Sequence, residues 1–285
     1  DAGAQALFAK LPASMKYLDL TGNQISLEVM QGPIQLPTGL KSLVLRNNRI
    51  GDRGAAWLAS GLPNGLAELF LDNNKIADTG AEALLASLPA GMQDISFRNN
   101  RIQFEAMGDH TKLPQGLPKI SLGGNRIGDR GAAWLACALP PGFTTLFLQD
   151  NLIGDAGAQA LFAGIPATLQ ILELDGNRIA LEAMQDDTRL PAGIVHLNLK
   201  NNRISNRGAA WLAGRMPGSL ARLFLCNNSI EDTGAEALGN ILSGRPAFKY
   251  LQLQGNAAIT AGGRQALSAA LPNAQVVCSE PEDVA

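Results

Sequence analysis

Apolar and polar positions alternate along this chain in short bursts, and every burst ends in an asparagine. The pattern Leu-x-x-Leu-x-Leu-x-x-Asn-x-Ile recurs with its asparagines at Asn23, Asn48, Asn74, Asn100, Asn125, Asn151, Asn177, Asn202, Asn228 and Asn256. The steps between them are 25 to 28 residues. Apolar residues stand three and five positions before the asparagine, as in Leu43 and Leu45, Leu69 and Leu71, Ile120 and Leu122, Leu197 and Leu199. Alternation with period two predicts a short strand with one buried face. After the asparagine the period changes. In residues 48–63, NRIGDRGAAWLASGLP, Gly54, Leu58 and Leu62 fall at i, i+4 and i+8, one stripe of a short helix. Asp52 is the predicted N-cap and Pro63 the stop. One strand and one helix in each repeat of 25–26 residues predict a parallel α/β solenoid.

A longer period of 77 residues lies on top. Residues 125–140 match 48–63 at fourteen of sixteen positions, and Trp57, Trp134 and Trp211 sit on the same register. The chain is therefore a block of three repeat types present three times. Scattered differences between the copies read as duplication followed by drift. One repeat type departs from the plan. After Asn23, Asn100 and Asn177, it places Pro33, His110 and Asp187 where the others place an inward leucine. Segments 27–36, 104–113 and 181–190 are expected to be poor in helix. Each tryptophan is then expected to be largely buried, covering its neighbour's gap as packing rather than as a binding stripe. Val276 and Val277 are candidates for a last short strand before the acidic stretch Glu280 to Asp283.

Ten copies of this pattern resemble the leucine-rich repeat family, in its ribonuclease-inhibitor-like class, across essentially the whole chain. The resemblance implies a horseshoe with a parallel sheet on the concave face and short helices on the convex face. It also implies one domain over residues 1–285. Strands packed about 4.8 Å apart against helices that need about 8–10 Å give the same curvature. The segments NRIGDRGAAWLA, NKIADTGAEALLA and NLIGDAGAQALFA are also similar to the Gly-Ala-x-x-Leu-Ala repeats of GALA proteins. These are effectors delivered by bacterial plant pathogens into host cells. In that family an upstream F-box recruits a ubiquitin ligase; no F-box pattern occurs in this chain, so that role is not carried over. Asp1 shares the register of Asp78, Asp155 and Asp232, so the chain opens inside a repeat with no polar cap and is expected to be a fragment of a longer protein.

Composition narrows the function. The 285 residues are 46% hydrophobic and 17% charged, with net charge −2, the balance of a folded chain without a basic imprint for nucleic acid or a polybasic membrane anchor. No apolar run approaches the roughly 18 residues of a membrane span, and no signal-peptide pattern opens the chain. Cys137, Cys226 and Cys278 are odd in number and far apart, which fits a reducing, cytoplasmic environment. With two histidines, no metal site is expected. No phosphate loop or nucleophile–base pair stands out, so no cofactor and no enzymatic activity are expected. His196 reads as a solvated histidine on the sheet, His110 with Asp109 and Thr111 as part of an outer loop, and Cys226 as drift. The asparagines read as a structural ladder, their amides offering donors and an acceptor.

What remains is a surface for another protein. Alternation points Phe70, Phe147 and Phe224 out of the strands, recurring every third strand and so about 14–15 Å apart. Beside them lie Asp72, Arg98, Glu173, Asp175 and Lys200. Aromatic residues on such a face suit partner burial; the other reading is one tolerated phenylalanine copied twice. The expected function is a protein–protein interaction module, monomeric, binding on its concave face. By its resemblance it is the target-recognition part of a secreted virulence effector acting on a host protein. The alternative is a regulator of an enzyme, of GTPase-activator or nuclease-inhibitor type.

Overall fold

The computed structural model describes residues 1–8, 10–30, 32, 34, 36–108 and 111–278. Pro33, His110, Asp109 and the stretch Glu280 to Asp283 lie outside the described residues. The chain forms two compact units, Asp1–Phe147 and Leu148–Ala285. The first contains α1 (Ala2–Phe8), β1 (Tyr17–Asp19), β2 (Ser42–Val44), α2 (Asp52–Ala59), β3 (Glu68–Phe70), α3 (Asp78–Ala86), β4 (Asp94–Ser96), β5 (Lys119–Ser121), α4 (Asp129–Ala138) and β6 (Thr145–Phe147). The second contains α5 (Asp155–Gly164), β7 (Ile171–Glu173), β8 (His196–Asn198), α6 (Asn206–Ala213), β9 (Arg222–Phe224), α7 (Asp232–Leu242), β10 (Tyr250–Gln252), α8 (Ala261–Ala270) and β11 (Gln275–Val277). Val276 and Val277 thus form the expected last strand.

Within each unit, strands pair in parallel with their sequence neighbours. The register is in line: Leu43, Leu69, Ile95, Ile120 and Leu146 form one buried row in the first unit, and Leu172, Leu197, Leu223 and Leu251 another in the second. Each strand is only three residues long, so the ladder alone is a weak tie. The asparagines supply the rest. Asn74 Nδ2 donates to the carbonyls of Leu45 (3.0 Å) and Leu71 (3.0 Å), while its Oδ1 accepts from the Ile50 N–H (3.0 Å). One side chain so joins its own strand end to the previous repeat. Asn100 and Asn125 repeat this in the first unit; Asn177, Asn202, Asn228 and Asn256 do so in the second.

The residue before each of the ten asparagines sits in the left-handed region: Asn47, Asn73, Asn99, Asp150, Asn201 and Asn227 at φ 52 to 55°, and Gly22, Gly124, Gly176 and Gly255 at φ 68 to 74°. Glycine, asparagine and aspartate are the residues that tolerate it. At Gly124 a β-carbon would meet Asn99 Oδ1, so any other residue there would require that side chain to turn aside. The Gly123–Gly124 pair is therefore a repeat turn.

Asp52 is not the N-cap of its own helix. Gly51 holds that position without a side-chain cap. The Asp52 carboxylate instead reaches forward one repeat and accepts from the backbone N–H groups of Ala77 (2.7 Å) and Gly80 (3.1 Å), capping α3 from outside. Asn206 does the same for Glu231 and Gly234 at α7, and Asp232 for Thr260 at α8.

No helix lies between β1 and β2, β4 and β5, or β7 and β8 among the described residues. These are the three segments expected to lack it. In the place of a helix start stand Leu27, Phe104 and Leu181 at φ 59 to 63°, all buried. Such residues enter this region at a cost of roughly 1–2 kcal/mol. The forward-reaching aspartates offset it. Asp78 accepts from the N–H groups of Gln103 (2.7 Å), Phe104 (2.8 Å) and Glu105 (3.0 Å), and Asp155 from those of Ala180, Leu181, Glu182 and Ala183. A left-handed residue turns successive amides to one side, making a concave anion site that the carboxylate fills. Burial pushes the Asp155 carboxyl up, but the four donors outweigh it and hold it below the usual aspartate value.

The tryptophans cover these gaps less completely than expected: each is half-buried. Trp57 packs on Phe8 and donates from Nε1 to the Gly32 carbonyl (2.9 Å); Trp134 packs on Phe104 with ring centroids 4.7 Å apart; Trp211 stacks on Phe162 at 6.3 Å. Their outer edges stay in water, because a segment without a helix leaves a groove rather than a cavity.

Three stability measurements check this account. Asn100→Ala strands the Ile76 N–H and the Leu71 and Phe97 carbonyls in the core, and is expected to cost about 3 kcal/mol by urea unfolding. Asn23→Ala, at an exposed position, should cost under about 1 kcal/mol. Trp134→Ala should cost about 2 kcal/mol, below the range of about 3–5 for a fully buried aromatic, since part of the ring is already solvated.

Candidate protein-binding face

Side chains six, four and two positions before each asparagine form the outward row of every strand. In the first unit Phe70 is half-buried, not freely exposed as expected, with the Arg46 guanidinium 4.4 Å from its ring centre. Arg46 Nε lies 2.7 Å from Asp72 Oδ2, a close ion pair without hydrogen-bond alignment. Asp72 is buried at 8% exposure. Its Oδ1 accepts from Ser96 Oγ and from the Arg98 backbone N–H (2.9 Å). The Arg98 guanidinium turns the other way and lies 5.5 Å from the ring centre of Phe147, also half-buried. Lys119 pairs with Asp94 at 2.5 Å.

In the second unit Glu173 Oε1 lies 2.8 Å from His196 Nε2, and its Oε2 accepts from Asn198 Nδ2 (2.6 Å). Asn198 Nδ2 also donates to Asp175 Oδ1 (3.2 Å). Burial raises the Glu173 carboxyl, yet the close His196 imidazole and the hydrogen bond from Asn198 outweigh it and hold it below the usual glutamate value. Asp175 goes the other way: burial first, then the neighbouring carboxylates Glu173 and Asp150, push it up. Lys200 Nζ stands 4.9 Å from the ring centre of Phe224, which also packs on His196 (4.8 Å) and Tyr250 (5.3 Å). His196 is therefore not a solvated histidine; only 17% of its side chain is exposed. Cys226 is buried, with Sγ 3.5 Å from Gln254 Oε1.

Phe70, Asp72, Arg98 and Phe147 thus share the strand face of the first unit, and Glu173, Asp175, Lys200 and Phe224 that of the second. Arg46, His196, Asn198 and Tyr250 share these faces without being among the candidate binding residues. The signal for Arg46 is legible in the register: it stands two before its asparagine on the strand preceding Phe70, a diagonal neighbour within reach of a long side chain. Lys200 stands in the same relation to Phe224. At the matching place before Phe147 stands Gly123, and Arg98 reaches over it from one strand further back. A cation sits on the ring in all three blocks, although the residue supplying it changes.

Repeated three-residue parallel strands, asparagine ladders and connecting helices define the leucine-rich repeat fold. The family model described as Leucine Rich repeat matches residues 12–28, 38–59, 66–85, 143–162 and 194–213. No curated protein sequence is significantly similar to the chain. Among solved structures, it is similar to a chain in the octameric complex of Latrophilin 3, Unc5D and FLRT2, the last given as its LRR part. The TM-score is 0.57 at 18% identity, covering 96% of this chain and 87% of that one. It is also similar to a chain in the complex of Rad7 and Elc1 in yeast, with a TM-score of 0.58 at 15% identity, covering 88% of this chain and 67% of that one. At these identities the likeness is one of fold. No described helix is long and apolar enough to cross a membrane.

The Glu173 cluster makes a pH prediction. A carboxyl held below its unfolded value stabilises the fold above that value, near pH 4.3, and the contribution is lost as pH falls through the lower folded value. Glu173→Gln should therefore unfold at lower urea than wild type at pH 6, and the difference should close below about pH 4. A difference that stays constant from pH 6 to pH 3 would show that the carboxylate charge is not what holds His196 and Asn198.

Proposed function

We propose that this chain is a protein–protein interaction module, one continuous repeat domain over residues 1–285, whose strand face binds a partner protein. The binding residues are Phe70, Asp72, Arg98, Phe147, Glu173, Asp175, Lys200 and Phe224. The observation that carries the reading is the cation-capped phenylalanine, built once in each 77-residue block from Arg46 and Phe70, Arg98 and Phe147, and Lys200 and Phe224. Each pair holds an aromatic ring and a charge in place before any partner arrives, which lowers the ordering cost of association. The likeness of GDRGAAWLA and DTGAEALLA to GALA repeats supports a finer reading. In it, the module belongs to the ribonuclease-inhibitor-like class and is the target-recognition part of a larger bacterial effector, acting as a monomer on a protein inside the host cell. A nuclease-inhibitor role has less support, because a basic target calls for an acidic face and the first unit presents Arg46 and Arg98.

The test uses the whole chain as bait in host-cell extract, followed by titration of the purified partner. Changing Phe70, Phe147 and Phe224 together to serine is expected to weaken binding more than tenfold. The rings are half-buried, so the variant will lose some stability, and binding is measured well below its melting temperature. A triple variant that binds as tightly as wild type would place the interface away from the strand face.

A further inference from the structure

On the strand face of the first unit, the basic residues are paired with one exception. Arg46 is paired with Asp72, and Lys119 with Asp94. Arg98 has no ion pair among the described residues, although Asp72 is on the adjacent strand. The reason is saturation: Arg46 occupies one oxygen of Asp72, and Ser96 Oγ and the Arg98 main-chain N–H occupy the other. Glu68 and Asp94 stand at the far ends of their strands, four residues down in register and so about 13 Å away. The Arg98 Nε is buried and makes no hydrogen bond. Arg98 as a whole is half-buried, and a guanidinium partly withdrawn from water without a counter-charge is an arrangement that a carboxylate would relieve.

Its neighbours on the face are small. Between Phe70 on β3 and Phe147 on β6, the intervening strands carry Ser96 and Ser121, both buried, and then Gly123. The face is low there and walled by two rings about 14 Å apart. Arg98 lies across this notch with its plane steadied by Phe147. A planar fork held on a ring offers two parallel N–H donors to a carboxylate. We infer that this notch receives an aspartate or glutamate side chain of the partner protein, with Arg98 as the specificity-determining contact and Phe70 and Phe147 packing on the apolar residues beside it. The inference rests on the strand face being the binding surface and adds the chemistry of what it selects.

The test presents random 12-residue peptides, displayed on phage, to the whole chain. Selected peptides are then synthesised with each Glu changed to Gln and each Asp to Asn. The expected outcome is a shared carboxylate whose neutralisation weakens binding at least tenfold. Arg98→Gln should cause the same loss, with no further loss when both changes are combined. Arg98→Lys, which keeps the charge without the fork, should recover only part of the affinity. Arg222→Gln, on the strand face of the second unit, should change nothing. Binding that the triple phenylalanine variant abolishes but Arg98→Gln leaves intact overturns the carboxylate inference and leaves the strand-face reading standing. Binding indifferent to both variants overturns both. Additive losses, selection of peptides without a carboxylate, preference for phosphoserine over glutamate at that position, or no peptide bound at all would likewise overturn it.

Discussion

The buried asparagine amide is the interaction on which the rest of this structure depends. A strand of three residues cannot hold its neighbours by ladder bonds alone. At each strand end the chain turns through a left-handed residue, which leaves carbonyl and N–H groups of two successive repeats facing the interior. One amide satisfies both. Asn74 takes the Leu45 and Leu71 carbonyls on its nitrogen and the Ile50 N–H on its oxygen. An apolar residue there would leave those groups buried and unpaired, at about 1–3 kcal/mol each. The amide therefore fixes the turn, the turn fixes the strand register, and the register decides which side chains reach the outer face.

A second row of side chains does comparable work on the helix side, and it too acts between repeats. The first-turn aspartates, or Asn206 in one case, hand their acceptor atoms forward to the following repeat. Where that repeat forms a helix, the carboxylate caps it. Where the helix is missing, the carboxylate holds a left-handed leucine or phenylalanine in place. One acidic position supports two local structures, so a sequence that loses its inward leucine loses its helix without loss of the link between neighbours. Asp1 makes the same contact with Ser26 and Leu27.

Strands, helices and the three segments without helix were legible because each follows from the periodicity of apolar residues. What escaped sequence reading were the bonds spanning a repeat outside the asparagine ladder. Asp52 looks like an N-cap because capping rules are local, yet its partners lie 25 and 28 residues ahead. The left-handed position was in plain view as Asn-Asn, Asp-Asn or Gly-Asn, but only the second residue of each pair was read. Alternation placed Phe70, Phe147 and Phe224 on the correct side and missed their burial, since strand direction says nothing about the height of diagonal neighbours. His196 was misread for the same reason: Glu173 on one side and Phe224 on the other remove it from water.

The same neighbours change what the mixed charge of the face means. Counted along the sequence, acidic and basic residues seem equally available to a partner. In place, most are committed to each other: Arg46 to Asp72, Lys119 to Asp94, His196 to Glu173. Breaking such a pair to reach a partner would cost what it gains, so committed charges stiffen the face without selecting what binds. Selection falls to charges the fold leaves unmatched. In the first unit that is Arg98, kept from Asp72 by the atoms that reached it first. In the second, Asp175 and Lys200 both stand outside an ion pair among the described residues, and burial and the like charges of Glu173 and Asp150 push the Asp175 carboxyl up. A cation from outside would stabilise that carboxylate, as an anion would stabilise Arg98. Each unit thus presents phenylalanine rings beside charges that the fold leaves without an ion partner.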